Sequence, residues 1–141
     1  MVLFSKDRIL VPIDFSEASF KALEETLDFA EASTTVHAIH VLSPLEPTEP
    51  GIVWEAVDTD KRKENVQKAF LEKVSDPQKR VTFTVDIGKP SAAIIDYAKQ
   101  NNIGLIVMPS RGHTGLTRFF MGSVTERVMR FSHCPVLVLR D

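Results

Sequence analysis

Apolar residues along this chain fall into blocks that alternate between two kinds of spacing. Residues 8–13 (RILVPI) form a short apolar run closed by Pro12 and Asp14, the pattern of a strand buried on both faces. Ser16 then offers an N-cap, and acidic Glu17, Glu24 and Glu25 accompany a stripe at Phe20, Leu23, Leu27 and Ala30. The spacing predicts an amphipathic helix to about residue 32. Residues 36–42 (VHAIHVL) read as a second strand. Pro44, Pro47, Pro50 and Gly51 forbid regular structure, so 43–53 is predicted to be a loop. Residues 54–74 are rich in charge but place Val66, Ala69, Phe70 and Val74 on one helical face. Val81, Phe83 and Val85 alternate with Thr82, Thr84 and Asp86, as in a half-buried strand near a sheet edge. Gly88 and Pro90 turn the chain into a helix over 91–100 with Ile94, Ile95 and Ala98 inward. Residues 103–108 (IGLIVM) have the composition of a central strand. A glycine-containing loop over 109–121 leads to a helix over 122–131, and 134–139 (CPVLVL) is a last strand.

Strands and helices thus alternate from end to end. Such alternation implies parallel strands joined by right-handed helical crossovers. The expected fold is a single α/β domain, a three-layer sandwich of Rossmann-like type with a five-stranded parallel sheet and helices on both faces. Open parallel sheets bind ligands beyond the carboxyl ends of their strands, where the strand order reverses. That rule directs attention to Asp14, the loop after Leu42, the loop after Met108 and the start of the last helix. The last strand, Val136, Leu137, Val138 and Leu139, is apolar on both faces, yet a last strand commonly lies at a sheet edge. An uncovered apolar edge is an aggregation hazard, so this strand is expected to form a homodimer interface.

Composition narrows the class without naming a function. The 141 residues are 43% hydrophobic and 26% charged, which fits one globular domain and excludes disorder or low complexity for the whole chain. One cysteine, no apolar leader and no membrane-length run lead to the expectation of a cytoplasmic protein with neither signal peptide nor membrane contact. A net charge of −2 argues against a basic nucleic-acid clamp. The total conceals a split. Residues 1–100 carry 12 basic and 17 acidic side chains, a balance of −5, whereas residues 101–141 carry five basic and two acidic ones, a balance of +3. All five are arginines: Arg111, Arg118, Arg127, Arg130 and Arg140. Guanidinium groups match phosphate and carboxylate geometry, although a solvated helix face is the ordinary use of such charges.

Two of these arginines, Arg111 and Arg118, fall in the loop after the fourth predicted strand. Gly122, Ser123 and Thr125 open the helix that follows, whose first N–H groups have no internal partner and whose dipole attracts anions. Gly122 permits close approach of a phosphate, the two hydroxyls are further donors, and Gly112 and Gly115 let the loop turn back. A capped helix after a flexible loop is the competing explanation. Neither G-x-x-x-x-G-K-[ST] nor G-x-G-x-x-G is present; Gly88-Lys89 is followed by Pro90, which has no N–H to donate. His37 and His40 lie three apart on a strand and so face opposite ways, which rules them out as a metal pair. Cys134, entering an apolar strand, reads as a packing residue, and His113 as a solvated loop residue with phosphate contact as the alternative. Phe119, Phe120 and Met121 read as packing or partner contacts.

Six segments together resemble the universal stress protein family. They are Ile9-Leu-Val-Pro-Ile-Asp-Phe-Ser16, Ile39-His-Val41, Gly88-Lys-Pro90, Leu105-Ile-Val-Met-Pro-Ser-Arg-Gly112, Gly122-Ser-Val-Thr-Glu126 and Cys134-Pro-Val-Leu-Val-Leu-Arg140. The ATP-binding branch of that family is marked by G-x2-G-x9-G-[ST]. Gly112 and Gly122-Ser123 match it at the right spacing, while Pro109 replaces the first glycine, removing a donor and fixing φ. Gly104 also stands where the family often has Asp. The resemblance implies ATP as ligand, with Mg or Mn as accompanying ion. It places Asp14 at the ribose or adenine side, Pro12 and Ile13 along the base, Val41 against adenine and Met108 nearby. Arg111, Gly112, Gly122, Ser123, Val124 and Thr125 would hold the phosphates. For Asp14, capping the first helix is an equal alternative. The family also implies stress-response signalling through nucleotide-dependent conformation or assembly, a homodimer through the last strand and an unidentified signalling partner. No nucleophile–base pair or metal-ligand cluster is recognisable, so any ATP hydrolysis is expected to be slow. The other readings are a dimeric interaction module without nucleotide, a phospho-acceptor receiver domain using Asp14 and Asp86, and a small adenylyl-transfer or hydrolase relative.

Overall fold

The computed structural model describes residues 4–44, 55–74, 80–110 and 122–140, with the side chains of 55–58 left out. The elements run β1 (Arg8–Pro12), α1 (Glu17–Phe29), β2 (Thr35–Leu42), α2 (Glu55–Lys73), β3 (Val81–Ile87), α3 (Pro90–Gln100), β4 (Leu105–Pro109), α4 (Ser123–Phe131) and β5 (Val136–Leu139). All pairings are parallel, in the order β3-β2-β1-β4-β5. Every crossover therefore carries a helix, as the alternation predicts.

The two sheet faces are sorted by strand parity. Ile9, Val11, Val36, Ala38, Leu105 and Val107 meet Ala22 and Leu23 of α1 and Phe70 of α2. Leu10, Ile39, Ile106 and Met108 meet Ile94 and Ala98 of α3 and Val128 of α4 on the other face. Residues of both parities in β1 and β4 are buried because helices cover both sides. On β3, an edge strand, only Val85 is buried, and the Phe83 ring stacks on Phe70 with centroids 3.9 Å apart. Strand β5 is the opposite edge. Its Leu137 is 45% exposed.

Three boundaries differ from the pattern-based expectation by two residues or more, each for a local reason. Helix α1 ends at Phe29 rather than near residue 32, because Ala30 leaves helical geometry at φ −68° and ψ 144°. The Glu31 N–H then bonds Thr34 Oγ1 at 3.0 Å in a tight turn into β2. Strand β4 begins at Leu105, not 103. Asn102 sits at φ 52°, and Gly104 passes so close to Ser5 that an added Cβ would stand 2.8 Å from its carbonyl oxygen. That approach leaves no room for a side chain at this position. Cys134 lies just ahead of β5 rather than within it, half-buried, with its thiol pKa raised chiefly by burial. Gly88, at φ 149°, supplies the turn between β3 and α3 that a side chain would oppose. No helix among the described residues is long and apolar enough to cross a membrane.

Candidate functional site

Strands β1 and β4 are neighbours in the sheet, yet the chain leaves them in opposite directions, through α1 to β2 and through α4 to β5. This is the reversal point of the sheet, and a crevice opens beyond the two carboxyl ends. A cavity of about 220 Å³ occupies it. Pro12, Ile13 and Asp14 line it from the end of β1, Val41 from β2, and Met108 from β4. Gly122, Ser123, Val124 and Thr125 line it from the start of α4. Nine of the eleven site residues expected from sequence therefore meet in one place. The other two, Arg111 and Gly112, lie outside the described residues, as do Gly115, Arg118, His113 and the Phe119–Met121 run.

Asp14 follows β1 directly, at the mouth of the crevice. Its Oδ1 accepts the Ser16 N–H at 2.9 Å and the Ser16 hydroxyl. Ser16 Oγ in turn accepts the Ser19 N–H at 3.1 Å, the N-cap of α1. Asp14 thus supports the cap from behind, rather than being the cap itself, and still borders the cavity. Between them Phe15 adopts φ 65°, a left-handed conformation uncommon for an aromatic residue. Its ring packs edge-on against Phe20 and His40, with centroids 5.5 and 5.0 Å away. His40 Nδ1 lies 2.6 Å from the Ile13 carbonyl oxygen. A carbonyl can only accept, so Nδ1 carries the proton. His37 is on the opposite sheet face, with Nδ1 2.8 Å from the Tyr97 hydroxyl. Burial, with Arg8 as a second cause, lowers its pKa.

The opposite wall of the crevice is the first turn of α4. Gly122 is its N-cap and has no side chain to satisfy the helix, so backbone donors of the first turn face the cavity end of the axis. Ser123 is exposed there. Thr125 departs from the expectation that its hydroxyl is a donor for a ligand. Its side chain is only 3% exposed, and Oγ1 donates to the Pro109 carbonyl at 3.0 Å. The hydroxyl proton ties α4 to the end of β4, and only the Thr125 backbone N–H is left for a ligand. The crevice is apolar along its base (Pro12, Ile39, Met108), with a carboxylate at one rim and a helix N-terminus at the other. That arrangement suits a flat apolar body carrying an anionic group.

Sequence reasoning missed Ser19, Ile39, His40, Pro90, Ile94 and Pro109 as cavity-lining residues. Pro90 and Ile94 begin α3, which reaches the crevice because it crosses from the edge strand β3 back to β4. Only the strand order carries that information. The order also removes the receiver-domain reading. A receiver places β3 beside β1, whereas here β2 intervenes, so Asp86, on the edge strand β3, is not a neighbour of Asp14. Among the described residues no group of His, Cys, Asp or Glu is arranged to hold a metal ion.

The model of the universal stress protein family matches residues 6–140. A universal stress protein of Methanocaldococcus jannaschii, MJ0531, is 34% identical over 140 residues, covering 94% of this chain and 81% of its own. The YxiE universal stress protein of Bacillus subtilis is 30% identical, with 95% and 99% covered. Among solved structures, that of the M. jannaschii protein MJ0577 superposes with a TM-score of 0.77 at 30% identity, covering 96% of each chain.

Proposed function

The chain belongs to the universal stress protein family, and on that premise we propose that it binds ATP in the β1–β4 crevice and serves stress-response signalling through nucleotide-dependent conformation or assembly. The observation that carries this reading is the convergence of the family's motif residues on one cavity at the reversal point of the sheet, opposite a helix start capped only by Gly122. The apolar base between Pro12, Val41 and Met108 is of a kind to take an aromatic base. Asp14 at the rim accepts hydrogen bonds, as ribose hydroxyls would require. The Ser123, Val124 and Thr125 N–H groups are donors for phosphate oxygens. Arg111 and Gly112 join them by family resemblance. Mg or Mn would enter with the phosphates. A universal stress protein of Archaeoglobus fulgidus with the same fold was solved with dAMP, but at 20% identity it speaks for the fold alone.

The protein is proposed to act in the cytoplasm as a homodimer through β5. Leu137, 45% exposed, leaves the edge strand with apolar surface to cover. Titration calorimetry with ATP, with and without Mg, tests the nucleotide reading, with Gly122→Val as the site control. Heat that saturates for the wild type and is lost for Gly122→Val supports it. No heat at millimolar ATP refutes it and leaves the dimeric module without nucleotide as the better reading. Equal heat in both proteins moves the site away from α4.

A further inference from the structure

The β1–β4 ladder is shorter than its neighbours. Strands β1 and β2 pair over five residues and β4 and β5 over four, whereas β1 and β4 pair only at Ile9↔Leu105 and Leu10↔Ile106. Both strands continue beyond that point, to Pro12 and Pro109. Backbone directions identify what is missing. The Ile13 N–H donates to Ile39 at 2.7 Å, so odd-numbered residues of β1 face β2 and even-numbered ones face β4. The N–H groups of Ile106 and Ser110 donate to Pro135 and Leu139 at 3.0 and 2.9 Å, so odd-numbered residues at this end of β4 face β1. Continuing the register from Leu10↔Ile106 pairs Pro12 with Met108. The next two ladder bonds would then run from the N–H of residue 12 to the Val107 carbonyl, and from the N–H of residue 109 to the Pro12 carbonyl. Neither N–H exists, because both residues are proline.

We infer that Pro12 and Pro109 act together as positioning residues that hold the reversal-point crevice open, by deleting the two backbone bonds that would otherwise join β1 to β4 up to their carboxyl ends. Both prolines line the cavity. So do residues that belong to opposite sides of the sheet, Ile13 and Ser19 on the α1 side and Met108 and Ile94 on the α3 side, as expected where the two strands part. The Pro109 carbonyl bonds Thr125 on α4, which secures the end of β4 from the far wall without a bond to β1. The opening is built into the chain before any ligand arrives, and a preformed site avoids the cost of separating paired strands on binding. The part of this inference that concerns affinity rests on the ATP reading above. The part that concerns the ladder does not.

The test uses the full chain as Pro12→Ala, Pro109→Ala and the double variant, labelled for amide exchange by NMR. Restored N–H groups at residues 12 and 109 are expected to be protected from exchange, as ladder amides are. The double variant should melt no lower than the wild type, yet bind ATP about tenfold more weakly, since the strands must now be parted. A role in strand-end rigidity alone predicts the reverse, a lower melting temperature with no amide protection. Rapid, unprotected exchange at both positions in folded variants overturns the inference, and so does protection without loss of affinity. Should the double variant not fold, each single variant restores one of the two bonds and gives the same readouts. Should the wild type bind no ATP, the nucleotide reading fails by itself, and amide protection still decides for or against the ladder.

Discussion

Thr125→Val is the most informative single change in the crevice wall. It replaces a hydroxyl by a methyl of nearly the same shape on a side chain that is 3% exposed, so packing hardly changes. What is lost is the 3.0 Å bond from Oγ1 to the Pro109 carbonyl. Pro109 is itself buried, and its carbonyl belongs to the parity that faces β1, beyond the last β1–β4 pair. The variant therefore strands a buried acceptor, which costs about 1–3 kcal/mol. For a domain of this size that is a fall in Tm of about 3–10 °C. Urea unfolding followed by circular dichroism should show a lower midpoint with an unchanged slope, because the surface exposed on unfolding is the same. Thr125→Ser keeps the hydroxyl and removes one methyl, at about 0.8 kcal/mol, so the ordering wild type, Ser, Val is expected. A Val variant within 0.5 kcal/mol of wild type, or a Ser variant less stable than Val, would refute the assignment of this hydroxyl to α4–β4 anchoring.

Two further outcomes follow from other parts of the molecule. If β5 forms the proposed dimer interface, the wild type should be dimeric and Leu137→Arg monomeric in light scattering at micromolar concentration, with little loss of monomer stability; a wild type that is already monomeric sinks the dimer proposal. Lowering the pH should destabilise the protein through His37. Its folded pKa is depressed, mainly by burial and secondarily by Arg8, so below about pH 6.5 the unfolded chain takes up a proton that the folded one resists. Stability should thus fall as pH drops from 7 towards 5. In His37→Gln, which keeps a polar partner for Tyr97, that slope should be shallower; an identical slope assigns the acid sensitivity to other groups.

Much of this molecule is written in local pattern. Alternating periodicities set the described strands and helices, because a strand covered by helices on both faces must be apolar at every position, as in residues 105–108, while a helix needs only a stripe. Ser16, Pro90 and Gly122 mark helix starts through backbone chemistry that needs no distant partner. The family motif likewise pointed to most of the residues that meet at the crevice. What local pattern could not contain was adjacency between strands. The order β3-β2-β1-β4-β5 brings α3 to the crevice, adding Pro90 and Ile94, and takes Asp86 away from Asp14. It also gives Pro12 and Pro109 their meaning, since a missing N–H matters only when the register shows which carbonyl it would have met. Thr125 makes the same point at the scale of one atom. Its type and its place at a helix start suggest a ligand donor, and only the buried Pro109 carbonyl 3.0 Å away commits that proton to the fold. Sequence specifies which groups exist and their period along the chain; tertiary packing decides which of them are already spoken for.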